Sequence, residues 1–391
     1  MESYFVDLHV HIGRSSKGHE VKKATAVDLT FENIAYEAFY RKGINVIGIV
    51  DCISPYVLED IEALLEKGEV VEKKDGGMAY RGKQTLLLGA EIETHEKEGG
   101  SAHSLCFFPT FERIKKFSKE MEKHMGNIRA NCTMSKLTGQ ELFNIVDDFG
   151  GVFIPAHAFT PYKSFYGSCV DSLLKVFTPS SFDKIPSIEL GLSADAMMAS
   201  CLSELDGKSF TSNSDAHSLG KMGREYNIFE MNEPSFNEVL MALKGLEGRR
   251  IKANYGLNPK LGKYNRSYCL NCDTVLHGEP PVLKCPVSEK HRVVVGVEDR
   301  IEVIKDREEP KMGNRPPYNY QVPLEFIPGV GKKTIDKLIS HFGTEMKVLH
   351  EAEESEMEKI VKKNIAHKIM LAREGKLDIE AGGGGTYGKL L

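Results

Sequence analysis

Short apolar segments that end in polar residues recur between residues 3 and 217 of this 391-residue chain. They are SYFVDLHVH, INVIGIVD, QTLLLGAEIE, SLCFFP, GGVFIPAH, SIELGL and KSFTSNSDAH. Segments of this kind are typical of buried parallel strands. Between them, stretches such as 29–43 and 137–151 place apolar residues at helical spacing and end at glycine. The alternation predicts an α/β fold, either a (β/α) barrel or a doubly wound sheet.

Imidazole and carboxylate side chains fall at or near the carboxyl ends of these segments. Alternate residues of a strand share a face, so Asp7, His9 and His11 are expected on one side of the first strand. The later segments supply Asp51, Cys52, Glu91, Glu93, His103, His157, Asp215 and His217. A lone histidine is more often structural than ligating, but so many buried His, Asp and Glu are costly unless paired or bound to metal. The joint pattern predicts a metal centre where both candidate folds place catalysis.

The ligand types favour a particular chemistry. Imidazoles and carboxylates with open positions suit Zn, Mn or Fe acting on phosphate, whereas Mg alone favours an all-oxygen set. In such a centre a water is activated and phosphate charge is neutralised, so no protein nucleophile is needed. Glu189 and Asp195, near another strand end, either join this site or are ordinary loop residues. Five further histidines lie outside this pattern, and we expect them to be structural: His95, His124, His341, His350 and His367.

A basic segment offers a surface for nucleic acid, although the net charge of the chain is −5. Residues 249–266 contain no acid, and two tyrosines are interleaved with the cations. The cations are Arg249, Arg250, Lys252, Lys260, Lys263 and Arg266. The pattern predicts a tether that binds DNA, with a solvated linker as the alternative.

The sequence also indicates a compartment. It has no run of about 18 apolar residues that could span a bilayer. The first residues, MESYFVDLHVH, carry acids and histidines where a signal peptide needs a basic and then an apolar stretch. Five of the eight cysteines are spread over residues 52–201, unlike a disulfide framework. We therefore expect a cytoplasmic protein with no membrane partner.

The other three cysteines form a second metal-ligand pattern. Cys269 and Cys272 make a CxxC pair, followed by Cys285 and His291. Three thiolates and one imidazole close a tetrahedron, which predicts one structural Zn in a module too small for a core of its own. The alternatives are a chance pair of thiols and, less consistent with the surrounding sequence, a redox pair.

A third unit begins near Pro323, where two helical patterns surround a Gly-rich turn. In that turn the glycines can expose backbone N–H groups to one phosphate beside two lysines, as in a helix-hairpin-helix element. The residues are Gly329, Gly331, Lys332 and Lys333. A capping turn between packed helices is the alternative. The expected units are residues 1–248, a basic linker and zinc module at 249–322, and a helical unit at 323–391 whose tail AGGGGTYGKLL is flexible on its own.

The order DLHVH, VD, GAEIE, AHSL, PAH and SDAH resembles the PHP (polymerase and histidinol phosphatase) superfamily over the first 225 residues or so. The resemblance implies a distorted (β/α)7 barrel holding two or three divalent metals, Zn, Mn, Fe or Mg. It assigns the first metal to His9, His11, Glu91 and Asp215, and the second metal to Glu91, His103 and His157. The third metal is assigned to His217 with His19. The family has His after the second-strand Asp, where this chain has Cys52. Asp51 or Cys52 would then have to complete the third site.

The basic segment, cysteine module, Gly-rich turn and GGGGTYGK tail occur together in the endonuclease Q family, in its bacterial form, which the whole chain resembles. The resemblance implies a DNA repair nuclease that nicks 5′ to uracil, hypoxanthine or xanthine and at abasic sites, with Glu91 bridging two metals and Asp215 as orienter or base. Two other classes remain open. One is a small-molecule phosphatase of the histidinol phosphate type, and the other is a binding module that has lost its metals.

Overall fold

A computed structural model describes residues 1–130, 133–377 and 379–390. Cys132, one of the five scattered cysteines, and Leu391, the last residue of the Gly-rich tail, lie outside these ranges. The strands are β1 Glu2–Val10, β2 Val46–Ile49, β3 Val70–Glu72, β4 Met78–Tyr80, β5 Gln84–His95, β6 Ser101–Phe108, β7 Val152–Pro155, β8 Ser187–Glu189, β9 Ser209–Thr211, β10 Tyr226–Met231, β11 Arg250–Gly256, β12 Tyr268–Cys269, β13 Thr274–Val275, β14 Val293–Val294, β15 Tyr318–Tyr320, β16 Ile379–Glu380 and β17 Lys389–Leu390. All seven segments predicted to be strands are confirmed.

The helices begin where the sequence supplies suitable capping residues. Thr138 and Glu141 form a reciprocal capping box at the start of one helix, and Pro55 occupies the first position of another. The α-helices are α1 Phe31–Tyr36, α2 Pro55–Glu66, α3 Phe111–Met121, α4 Gly139–Asp148, α5 Pro179–Lys184, α6 Ala196–Ala199, α7 Phe236–Lys244, α8 Val297–Ile304, α9 Lys332–Phe342, α10 Glu345–His350, α11 Glu354–Met357 and α12 Lys363–Arg373. Short π-helices cover Glu37–Lys42 and Phe165–Cys169. No helix among the described residues is long and apolar enough to cross a bilayer.

The main sheet is mixed, which corrects the expectation of parallel strands throughout. Its order is β15-β11-β10-β1-β2-β5-β4-β3, and β6 pairs with both β5 and β7. Strands β1, β2 and β5 are parallel, whereas β10 runs antiparallel to β1 and β6 antiparallel to β5. Only five residues, 96–100, join β5 to β6. A parallel crossover needs a dozen or more residues, so this connection must be a hairpin.

Buried apolar residues connect the strands of the main sheet with helix α7. Residues on β1, β2, β5, β6, β7 and β10 meet in one buried cluster, which includes Leu8, Leu87 and Ile154 and is covered by Phe236 and Leu243 of α7. Strands β8 and β9 form a separate parallel pair. In the described ranges, the hydrogen-bonded ladder does not close into a ring. The architecture is therefore mixed α/β, and the distorted (β/α)7 barrel stays a prediction.

The main sheet continues past residue 248, where the first unit was predicted to end. Strand β11 pairs with β10, and β15 pairs in turn with β11, so the predicted linker begins with a strand. Within β11, Ile251 and Ala253 are buried while Lys252 is exposed. The alternation is short and the segment is rich in basic residues, which hid the strand from a sequence-based analysis.

Helix α10 packs against the π-helix Glu37–Lys42 and against the main sheet. Lys42 and Glu345 form an ion pair of 2.7 Å whose side chains are 6% and 5% exposed. The ring of His350 lies among Phe5, Tyr226 and Tyr255, as expected for a structural histidine. Removing either partner of the Lys42–Glu345 pair would be costly, because the remaining charge would be buried without a partner.

The Gly-rich tail is docked, in contrast to its expected flexibility. Gly382 N–H donates to the Lys260 carbonyl (2.7 Å), and Gly388 N–H donates to the Leu261 carbonyl (3.0 Å). A Cβ atom on Gly382 would lie 2.5 Å from the Gly388 nitrogen, so side chains at these positions would separate the tail from its partners. Glycine here allows close backbone approach rather than mobility.

Candidate metal centre and nucleic-acid interface

The end of β1 and the loop after β9 bring together a first group of candidate ligands, His9, His11 and Asp215. The His11 N–H donates to the Ala216 carbonyl (3.0 Å), and the Ala216 N–H donates to the His9 carbonyl (3.1 Å). These bonds fix the loop against the strand. The Asp215 Oδ1 atom consequently lies 3.6 Å from His9 Nε2 and 3.3 Å from His11 Nε2.

Two buried carboxylates determine how both imidazoles present their nitrogens. His9 Nδ1 lies 3.0 Å from Glu189, and His11 Nδ1 lies 2.7 Å from Asp51. An Nδ1–H that donates to a carboxylate leaves Nε2 with a lone pair. The two Nε2 atoms face one another at 3.1 Å, within reach of Glu91 and Asp215. Two lone pairs directed at one point beside two carboxylates fit a bound cation.

A second group consists of Glu91, His103 and His157. Glu91 Oε1 lies 2.7 Å from His103 Nδ1 and 3.3 Å from His157 Nε2. The same carboxylate lies 3.4 Å from His9 and 3.6 Å from His11. Glu91 thus stands between the two groups, where a carboxylate can bridge two metals. Glu93 supports the second group, since it lies 3.2 Å from His103 Nε2.

The charge state of Glu91 suits this position. Burial by itself would raise its pKa, but His103, Lys22 and His11 beside it hold the pKa of this carboxyl well below its usual range. Glu91 is therefore ionised around neutral pH and offers both oxygens to cations.

The residues expected to form a third site are not assembled around one point. Asp51 Oδ2 accepts from the Ile12 N–H and contacts His11, while the Cys52 thiol donates to the Ile49 carbonyl at 3.1 Å. His19 stacks on Tyr56 with ring centroids 4.3 Å apart. His217 remains near the centre, with its ring centroid 4.5 Å from that of His11. No group of three candidate ligands among the described residues includes any of these four.

Glu189 and Asp195, left open by the sequence, have different roles. Besides His9, Glu189 accepts from Asn213 Nδ2 (2.8 Å) and from the His157 N–H (2.8 Å), so it positions both ligand groups. Asp195 caps the short helix α6 and binds Tyr320. Asp7 lies on the same face of β1 as His9 and accepts hydrogen bonds from the N–H groups of Ser214 and Gly223. It therefore holds the segment between β9 and β10 against β1.

A pocket of about 480 Å³ opens over the two ligand groups. Its wall contains basic and aromatic side chains that sequence reasoning did not assign to the centre. They are Lys22, Tyr162, Lys163, Lys221, Arg224 and Tyr387. Tyr387 comes from the docked tail, where its hydroxyl accepts from Arg224 at 2.6 Å. Arg224 also donates to the backbone of Ser214 (2.7 Å), beside Asp215. The presence of Tyr387 in an otherwise Gly-rich tail was the one feature of the sequence that pointed to this contact.

The predicted DNA-binding residues of the basic segment do not lie together. Lys263 lines the pocket, with its ammonium 4.6 Å from the centre of the Tyr387 ring. Arg249 and Arg250 pair with Glu238 and Glu230 near the start of β1. They lie on the order of 20 Å from His9, given six residues of strand at about 3.3 Å each. Lys260 is exposed, and Arg266 contacts Asp299 and the Gly278 carbonyl.

The Gly-rich turn precedes α9 as the sequence predicted. Gly329 has a φ of +93°, which favours glycine, and Gly331 is the N-cap of α9. Gly329, Gly331, Lys332 and Lys333 are all exposed. Backbone N–H groups and two lysines therefore face solvent at one helix N-terminus, in an arrangement suited to a phosphate.

The four residues of the predicted cysteine module lie close enough together to hold one metal ion. Cys272 Sγ lies 3.6 Å from Cys285 Sγ, and His291 Nδ1 lies 3.3 Å from the sulfurs of Cys272 and Cys285 and 3.6 Å from that of Cys269. Ligands at about 2.3 Å from a central Zn would be separated by roughly 3.8 Å. The seven described cysteines form no disulfide. Strands β12, β13 and β14 hold the cluster, and its apolar core contains little beyond Leu276.

Comparison with known proteins identifies the family. The PHP-associated family model matches residues 197–247. The Bacillus subtilis protein YqxK is 46% identical over the full length of both chains. The lesion-specific endonuclease PfuEndoQ of Pyrococcus furiosus is 32% identical, with a TM-score of 0.83 covering 100% of this chain and 95% of that one. Endonuclease Q in complex with a 27-mer duplex substrate containing an abasic lesion gives 32% identity and a TM-score of 0.84, covering 100% of this chain and 96% of that one. The chain therefore belongs to the endonuclease Q family.

Proposed function

We propose that this protein is a metal-dependent DNA repair endonuclease that nicks the phosphodiester 5′ to deaminated bases and abasic sites. The observation that carries the proposal is the position of Glu91 between two imidazole groups, at the base of a basic and aromatic pocket. Full-length similarity to PfuEndoQ, described as lesion-specific, supports it, as does similarity to an endonuclease Q bound to abasic duplex DNA.

The residues of the centre fit a phosphodiesterase. Divalent metals bound at the two groups would supply Lewis acidity and lower the pKa of a water. Glu189 and Asp51 hold His9 and His11 in the tautomer that binds a cation, and Glu91 connects the groups. We propose Zn, Mn or Fe here in preference to Mg, because four of the six ligands would be imidazole nitrogens. For the cysteine module we propose one structural Zn.

The pocket wall fits a nucleotide turned out of a duplex. Tyr162 and Tyr264 contact each other edge to face on one side, and the ammonium of Lys221, which also lines the pocket, is a hydrogen-bond donor. Deamination replaces an amine with a carbonyl. A donor in the pocket would therefore accept uracil or hypoxanthine, whereas the amine of cytosine or adenine would leave it unpaired.

The test of this proposal is one cleavage assay with Mn²⁺ and end-labelled duplexes containing uracil, hypoxanthine, an abasic site or no lesion. We expect nicks on the 5′ side of each lesion that leave a 3′-hydroxyl, with matched normal DNA largely spared. A phosphomonoester in a parallel reaction tests the small-molecule phosphatase alternative. Equal cutting of lesion-bearing and normal DNA, or turnover of the phosphomonoester alone, would refute the repair function.

The two parts of the basic segment should contribute unequally to DNA affinity. We expect Lys263→Ala to weaken binding and to reduce the salt slope of log K by about 1, because Lys263 faces the pocket and could neutralise a phosphate. Arg250→Ala is the matched control, since Arg250 is already paired with Glu230 at the other end of β1. Fluorescence anisotropy across a salt series measures both. A larger loss of DNA affinity in Arg250→Ala than in Lys263→Ala would instead place the DNA path near the start of β1.

The turn before α9 should hold DNA without regard to sequence. Combining Gly331→Val with Lys332→Ala is expected to weaken binding of lesion and normal duplexes by similar factors, because contacts to phosphate do not discriminate between bases. The ratio of the two dissociation constants should therefore stay constant. A change confined to the lesion duplex would show that the turn takes part in recognition of the base instead.

A further inference from the structure

Lys22 reaches the metal centre from the loop between β1 and α1. Its ammonium nitrogen lies 2.7 Å from Glu91 Oε2 and 3.1 Å from each ring nitrogen of His11. The side chain is 16% exposed and lines the pocket. Lys22 therefore places a fixed positive charge between the candidate ligands and the space that a substrate would occupy.

The position of the ammonium does not compete for the lone pair that a metal would use. An atom that lies 3.1 Å from both Nδ1 and Nε2 and in the plane of the imidazole would collide with Cε1. Lys22 Nζ must therefore lie over the face of the His11 ring, in a cation–π arrangement. The His11 Nε2 lone pair instead points in the ring plane towards His9 Nε2 and Asp215. Lys22 and a metal in the first group can coexist.

A third metal, which the PHP resemblance implies, does not fit the residues present. Of its expected ligands, Asp51 is bonded to His11, the Cys52 thiol donates to a backbone carbonyl, and His19 stacks on Tyr56. His217 alone stays beside His11, on whose ring Lys22 also lies. The cation that the fold provides on this side of the centre is thus the ammonium of Lys22.

We propose that Lys22 is a catalytic residue that takes the place of a third metal, so that the centre holds two metals and one ammonium. Bound substrate would present a non-bridging phosphate oxygen to Lys22 while its other oxygens face the two ligand groups. A cation directed at the charge that develops on phosphate stabilises the transition state more than the ground state. This part of the proposal rests on the proposed phosphodiesterase function, whereas the number of metals does not.

The number of metals is measured first, on the full-length chain saturated with Mn²⁺ or Zn²⁺ and desalted. Elemental analysis should give three metals per wild-type chain, two in the centre and one in the cysteine module. Cys269→Ser, which opens the module, should give two. A wild-type count of four, falling to three in Cys269→Ser, would overturn the proposal. These counts need no DNA, so they stand even if the chain cuts no lesion.

Variants of Lys22 then test its role in the reaction. Lys22→Met, similar in length but uncharged, should keep the wild-type metal count and melting temperature while kcat on abasic DNA falls about 100-fold, as for the loss of one transition-state donor. Lys22→Arg, which keeps the charge, should recover part of kcat. An unchanged kcat in Lys22→Met would overturn the proposal. So would a lowered metal count in that variant, because Lys22 would then act by holding the ligands.

Discussion

Replacing Glu91 with glutamine is expected to lower DNA cleavage by on the order of a thousand-fold or more, beyond the 10–100-fold typical of residues that only orient a ligand. Glu91 lies within 3.6 Å of His9, His11, His103 and His157. Glutamine keeps the shape but removes the charge and one of the two metal-binding oxygens. The measurement is single-turnover cleavage of an abasic duplex, with elemental analysis of the same preparation.

Glu93→Gln is the matched control for this variant. Glu93 neighbours the centre on the same strand, and of the candidate metal ligands in the described ranges it contacts His103 alone, at 3.2 Å, besides pairing with Lys163. We expect a loss of about 10–100-fold, as for an outer residue. DNA affinity should persist in both variants, because neither substitution removes a cation from the wall of the pocket. Wild-type turnover in Glu91→Gln would reject the metal centre. Loss of DNA binding together with loss of cleavage would indicate misfolding.

Replacing Cys269 or Cys272 with serine is expected to remove one metal per chain and unfold the cysteine module. The apolar core of the module is little more than Leu276 and the ligands themselves. Structural Zn binding contributes on the order of ten kcal/mol to folding of such small units, far more than this core can provide. Elemental analysis and limited proteolysis over residues 268–294 provide the measurement, with cleavage in that region expected for the variants alone.

Cys201→Ser is the control for the module, because Cys201 lies outside the cluster and is partly exposed. It should retain every metal and the wild-type proteolysis pattern. The cysteine variants should also keep the metals of the centre, which belong to the main sheet. Full metal content and an unchanged melting temperature in Cys269→Ser or Cys272→Ser would show that the four ligands meet by chance.

Local patterns in the sequence predicted the strands and most of the candidate ligands. His9 and His11 share a face because side chains alternate along a strand, and Glu91 lies on a strand parallel to theirs through β2. The direction of β6 was predicted wrongly, because apolar content identifies a buried strand but not its orientation. The five-residue connection from β5 to β6 carried that information.

The sequence by itself thus determined which residue types could bind metal, since strand alternation and CxxC spacing act over a few residues. Only the tertiary structure decided which partners those residues have. Glu189 orients His9 from 180 positions away, and Tyr387 reaches Arg224 across 163. Lys22 enters the centre from an irregular loop, where neither helical nor strand periodicity says where a side chain points. Contacts of this kind depend on how distant elements pack, and one chain without that packing carries no local signal for them.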